Sequence, residues 1–197
     1  MRRGRPRHFD ADAALDAAMH LFWHRGYRGT TTRDLERALG MGQSSIANAF
    51  GTKADLMDAA LARYGALLDR DLIEPLRAGP GGLAAIDRFL AGLSDWHTAD
   101  GVRGCLIGRL MCETSSPGPG VAARLDRWRA GLEGALDAAL GRAVRAGEIA
   151  PEGLDGRRSL VIAVVLGMNL AVQAGFDVAA QRDLARAGRA QVASWAL

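Results

Sequence analysis

Two cysteines in 197 residues, Cys105 and Cys112, are too few for a disulfide framework. Long apolar runs are missing as well. The longest, Leu160 to Met168, is too short to span a bilayer and is followed by Asn169 and Gln173. Asp10 and Asp12 stand where the apolar stretch of a secretion signal would have to lie, so the expectation is a cytoplasmic protein. Aromatics make up only 6% of the chain, and β-branched residues almost nowhere alternate with polar ones, which argues against sheet structure. No G-x-S-x-G, P-loop or dinucleotide glycine fingerprint occurs. His20 and His24 have helical spacing, but Leu21 occupies the glutamate position of a zinc-protease HExxH. The chain is therefore expected not to be an enzyme, and no cofactor or metal is predicted.

What the chain does contain is helix-forming residues. Alanine and leucine dominate a composition that is 49% hydrophobic, enough for a sizeable core, and this points to an all-α protein. Its net charge of +3 is unevenly placed. Residues 1–70 carry eleven Arg and Lys against eight Asp and Glu, whereas residues 71–197 carry fourteen of each. Arg2, Arg3, Arg5 and Arg7 crowd the start, a common electrostatic footprint for a phosphate backbone as well as the composition of a solvated tail.

Residues 1–8 read as a basic arm. Asp10 is a predicted N-cap for a helix to about Arg25, with Ala11, Leu15, Ala18 and Phe22 on its buried stripe and Gly26 as terminator. Thr31-x-x-Asp34 is a capping signal for a second short helix carrying Leu35, Ala38 and Leu39, which Gly40 ends. Only Met41 and Gly42 separate it from a third segment, Gln43 to Phe50. Two short helices across a glycine-containing turn, behind a longer supporting helix, describe a helix-turn-helix. A fourth helix is predicted from Lys53 to about Ile73, ending ahead of Pro75. Further helices are expected over about 83–98, 104–115, 120–146, 154–176 and 180–195.

Within residues 9–56 the chain resembles the TetR family of transcriptional regulators. The resemblance rests on Phe9-Asp10, Leu15-Asp16-Ala17-Ala18, Leu21-Phe22, Gly26-Tyr27, Thr31-Thr32, Asp34-Leu35, Leu39-Gly40, Phe50-Gly51-Thr52-Lys53 and Leu56. It departs at Gly42, where the family usually has Ser or Thr, and at Ile46-Ala47, where it usually has Leu-Tyr. The resemblance implies an N-terminal three-helix DNA-binding domain, taken here as residues 1–53. Residues 54–197 would form a larger helical ligand-binding and dimerisation domain. The function implied is a homodimeric repressor of operator DNA, released by a small-molecule effector.

In the third segment Ile46 and Phe50, four apart, suit the buried side. Gln43, Ser44, Ser45, Ala47 and Asn48 then face outward. Amides can bond adenine bidentately, serines meet bases or phosphates, and alanine can touch a thymine methyl in a groove about 12 Å wide. Thr32 and Arg33 open the second helix, where free backbone N–H groups favour a phosphate. Lys53, the only lysine of the chain, occupies the position that the resemblance assigns to a phosphate contact. Arg5 is placed to enter the adjacent minor groove.

The resemblance also implies an effector pocket in the second half. Candidate lining residues are Trp96, Cys105, Met111, Cys112, Met168, Asn169, Gln173 and Phe176, the apolar ones serving equally as core. Asn169 and Gln173 stand one turn apart in an apolar helix, where buried amides would need partners, and they are expected to face either a pocket or the other subunit. Cys105 and Cys112 are seven apart, hence expected on one helix face. They read either as small buried hydrophobes or as an oxidant- or electrophile-sensing pair activated by Arg103 and Arg109. Ala163, Gly167, Ala171 and Gly175 form a smooth row beside Leu160, Val164 and Met168. A symmetric dimer contact through this helix and the last one, with Leu184, Ala187, Gln191 and Trp195, would cover it. A helical interaction module without DNA binding is the reading from another class.

Overall fold

The computed structural model describes residues 10–99, 103–113 and 118–197, and among these the chain is helical without a β-strand. The basic arm, including Arg5, lies outside the described residues. Helix α1 (Ala11–Gly29) starts where the Asp10 carboxylate accepts the backbone N–H groups of Asp12 and Ala13, both at 3.1 Å. Gly26 interrupts it with φ +71°, and one further turn runs on to Gly29. Helix α2 (Thr32–Leu39) opens on a complete capping box between Thr31 and Asp34. It closes on Gly40 in the left-handed conformation. Helix α3 (Gln43–Phe50) follows after two residues, and α4 (Lys53–Leu68) repeats the capping-box device with Thr52 and Asp55.

Where a helix end was expected before Pro75, the path instead continues through a π-helical turn (Asp69–Ile73) into α5 (Glu74–Ala78). Pro75 lies in the first turn of α5, where a missing N–H costs no intrahelical bond. The remaining helices are α6 (Leu83–Thr98), α7 (Leu106–Cys112), α8 (Pro119–Arg145), α9 (Leu154–Gln173) and α10 (Val178–Ala193). Helix α9 is shorter than expected because Gly175, with φ +81°, turns the chain toward α10.

One core runs through these layers. Phe22, Leu56 and Tyr64 join α1 to α4, and Leu90, Leu106, Leu136 and Leu140 extend the same buried cluster into α6, α7 and α8. Each such side chain taken fully out of water contributes roughly 1.5–3 kcal/mol. Helix α4 packs on α1 along one stretch and on α8 and α7 along another. It thus links the helix-turn-helix to the second half mechanically. Arg63 of α4 pairs with Asp16 of α1, and Arg124 of α8 pairs bidentately with Asp58 of α4 at 2.7 and 2.9 Å. Among the described residues no helix is long and apolar enough to cross a membrane.

Candidate nucleic-acid interface

Helix α3 is held by its back alone. Ile46 is buried and Phe50 half-buried against the core, while Gln43, Ser44, Ser45, Ala47, Asn48 and Ala49 are exposed. Behind Ile46 lies Leu35 of α2, also buried. The helix begins without a side-chain bond from its own N-cap, Gly42. Glu36 of α2 supplies that bond instead: its Oε1 accepts the Gln43 backbone N–H at 2.9 Å. This carboxylate fixes the angle between the two helices of the motif. Sequence reading missed it because capping was sought within four residues, and this bond spans seven.

The outward groups divide between two sides of α3. Thr32, Gln43, Ala47 and Lys53 border one shallow hollow of about 340 Å³ formed with the start of α4. Ser45 and Asn48 face a wider cleft toward Ala13, Ala14 and Ala17 of α1. Arg33 is exposed and forms no ion pair among the described residues, so its guanidinium is available. Arg25 and Arg37 both turn to Asp34, at 2.9 and 3.8 Å. That carboxyl is held below its ordinary value, first by the Thr31 side-chain hydrogen bond and next by the Thr31 backbone. Lys53 is less free than expected. Its ammonium lies 4.2 Å from the centre of the Tyr27 ring and is half-buried. Partial burial lowers its affinity for a proton, against which Glu113 of the chain's second half acts.

The expected effector residues do not come together in one pocket. Trp96 donates its indole N–H to the Tyr64 hydroxyl at 2.7 Å and stacks on Trp23, whose own N–H goes to the Gly104 carbonyl at 2.8 Å. Met168 and Asn169 are buried, the Asn169 amide donating to the Val165 carbonyl at 2.9 Å. Met111, Cys112, Gln173 and Phe176 are exposed, so Gln173 does not join Asn169 inside the fold. The two cysteines do not share a helix face. Cys105 is the extended N-cap residue of α7 and is buried, whereas Cys112 is the exposed last residue of that helix. Nor do the arginines activate Cys105. Burial pushes its thiol up, opposed by Tyr64 and by the backbone N–H groups of Gly108 and Ile107. Arg103 lies over the Trp23 ring and Arg109 donates to the His24 carbonyl. Both are engaged on α1.

The small-residue row of α9 is exposed at Ala163, Gly167 and Gly175 but buried at Ala171. A spacing of four drifts across a helix of 3.6 residues per turn. The exposed ridge therefore follows Leu160, Ala163, Leu166, Gly167 and Leu170, and Leu170 is 61% exposed. On the neighbouring helix Ala187 and Gln191 are exposed and Leu184 half-buried; Trp195 beyond it is half-buried, with the Arg157 guanidinium over its ring.

Known proteins share both the local motif and the whole fold. Residues 14–60 match the family model for bacterial regulatory proteins of the tetR family. ComR, an HTH-type transcriptional repressor of Escherichia coli K12, is 48% identical over 62 residues, covering 32% of this chain and 30% of that protein. YezE, an uncharacterized HTH-type transcriptional regulator of Bacillus subtilis 168, is 32% identical over 104 residues, covering 52% and 53%. The chain thus spans about half or less of the length of these curated relatives. Among solved structures, the TetR family regulator CifR, a cysteine mutant complexed with 26-bp double-strand operator DNA, superposes with a TM-score of 0.82 at 24% identity, over 98% of this chain and 100% of that one. The reduced form of Escherichia coli NemR gives 0.76 at 21% identity, over 94% and 97%.

Proposed function

We propose that this chain, whose residues 14–60 belong to the tetR family of bacterial regulatory proteins, is a sequence-specific DNA-binding transcriptional regulator. In this reading it is a homodimeric repressor that leaves its operator when a small molecule binds. The observation that carries the reading is the exposure of α3. Five small or amide-bearing side chains, Gln43, Ser44, Ser45, Ala47 and Asn48, stand out on a helix whose only buried residue is Ile46. Such a surface has no evident core to face and the dimensions to enter a major groove. Residues 1–53 act as the DNA-binding domain and residues 54–197 as the ligand-binding and dimerisation domain. Thr32, Arg33 and Lys53 hold phosphates on either side of α3, and Arg5 follows the minor groove. Lys53 reaches a phosphate by leaving the Tyr27 ring, at a cost of about 1–2 kcal/mol for a half-buried cation–π contact.

Two of the curated relatives carry the name of repressor, and two structural neighbours, CifR and AibR, are solved on operator DNA, which supports this reading. Its test is a titration of the full-length protein against the DNA flanking its own gene, with and without unrelated competitor. The expected result is a complex that survives an excess of competitor. Binding no tighter than to random DNA at the same salt would overturn it.

A further inference from the structure

A second concavity lies well away from α3, and nothing in the motif accounts for it. It is a cleft of about 270 Å³ between α4, the π-helical turn, α5, α7 and α8, just under the usual range for small-molecule sites. Its floor is apolar: Leu61, Ile73 and Ile107 line it and are each almost wholly buried by the fold. Three arginines stand on its walls, and their states differ. Arg77 is held by Glu74 at 2.6 Å and faces Asp69 at 3.7 Å. Arg124 is held bidentately by Asp58. Arg127 has no carboxylate within 4 Å among the described residues, although its charge helps hold the Asp58 carboxyl below its ordinary value, after Arg124. Next to it in the chain, Trp128 lines the same cleft, and its indole N–H is a buried donor without an acceptor among the described residues. A buried donor left unpaired calls for a partner. The cleft therefore joins one guanidinium without a directly paired carboxylate, one unsatisfied N–H and an apolar floor.

We infer that this cleft binds a small amphiphilic monocarboxylate, its tail on Leu61, Ile73 and Ile107 and its carboxylate on the Arg127 guanidinium and the Trp128 N–H. A carboxylate accepts several hydrogen bonds and forms strong charge-assisted ones with guanidinium. A second negative charge would meet Asp69 and arginines already paired, and a cationic head would face Arg127. The site rests on the regulator reading only for its consequence. Asp69 and Ile73 of the π-helical turn form part of its wall, in the same helical path whose start adjoins α3. Single π-helical turns occur frequently at functional sites. A ligand seated there touches the element that joins the two halves of the chain.

The test uses the free full-length protein and calorimetric titration with 4-phenylbutyrate, 4-phenylbutan-1-ol and 4-phenylbutylamine. The expected result is that the acid binds at least tenfold tighter than the alcohol, and that the amine does not bind. Arg127→Gln, at an exposed position, should bring acid and alcohol to within about threefold of each other while leaving the helical circular dichroism unchanged. Trp128→Phe keeps the ring, loses the donor, and should weaken the acid several-fold. Equal affinities for acid and alcohol, acid binding unaffected by Arg127→Gln, or no acid binding at millimolar concentration would each overturn the assignment. A parallel gel shift on the flanking DNA separates the two readings. Acid binding without sequence-selective DNA binding would leave the site standing and remove the regulator. Selective DNA binding without acid binding would do the reverse.

Discussion

Two residues on the proposed DNA face have separable roles. Asn48 is exposed on α3 and bears an amide suited to a base edge, whereas Lys53 is a cation at the start of α4. Asn48→Ala should cost about 1–3 kcal/mol on the preferred sequence and little on random DNA, lowering specificity. Lys53→Ala should weaken all sequences alike and flatten the dependence of log affinity on log salt by about one unit. Fluorescence anisotropy at several salt concentrations reads both, and operator affinity indifferent to both changes would refute the docking. A third residue reports on the core. His97 is fully buried, and burial lowers its pKa from 6.5 to about 4. Between those values the unfolded chain binds a proton that the folded one refuses, so stability rises with pH in this window and falls as the solution is acidified below about 6.5. The share that depends on His97 is on the order of 2 kcal/mol between pH 6.5 and 5. Urea denaturation at the two pH values should show that loss in the wild type and its absence in His97→Asn; equal losses would show that other groups carry it.

Elements whose signals are local were legible in the sequence; those made by distant partners were not. The capping box of α2 and the turn at Gly40 each lie within a few residues, and the helix-turn-helix could be read from them; the equally local box of Thr52 and Asp55 went unread. The π-helical turn leaves no such mark, because its register depends on what α4 and α5 pack against. Base-facing positions could be proposed from helical periodicity, Thr32 and Arg33 from their place at a helix N-terminus, and Lys53 from the family resemblance. The cleft beside Arg127 could not, because it is built where α7 and α8 meet the continuous path from α4 to α5, stretches far apart in sequence. The Glu36 bond to α3 belongs with these distant devices, and it has a measurable consequence. Losing an N-terminal cap costs about 1 kcal/mol. Glu36→Ala should therefore lower stability by about that amount in chemical denaturation and weaken operator binding by loosening the α2–α3 angle. Glu36→Gln keeps a carbonyl acceptor and should lie close to wild type in both assays. If the two substitutions proved equivalent, the bond would not be what orients α3.

In the proposed dimer each chain supplies one half of the contact. The ridge of Leu160, Ala163, Leu166, Gly167 and Leu170 on α9 is apolar, exposed and continuous over several turns. Contiguous apolar surface of this kind marks an interaction site more often than an idle face. A two-fold partner presenting the same ridge would cover it, since an isologous contact buries one patch against its copy. Small side chains at Ala163 and Gly167 let the two helices approach closely, and the leucines fill the margins. Two copies of α3 would then stand at a fixed separation and demand half-sites about one DNA turn apart, or a multiple of that. Placing a charge in such a contact leaves it buried without a partner, which is strongly unfavourable. Leu166→Glu combined with Leu170→Glu should accordingly yield a folded monomer by light scattering at micromolar concentration, where the wild type is expected to scatter as a dimer. Operator binding by the variant should fall at least tenfold, because each head must then bind alone. A monomeric wild type, or a charged variant that remains dimeric, would place the contact elsewhere and free the α9 ridge for another partner.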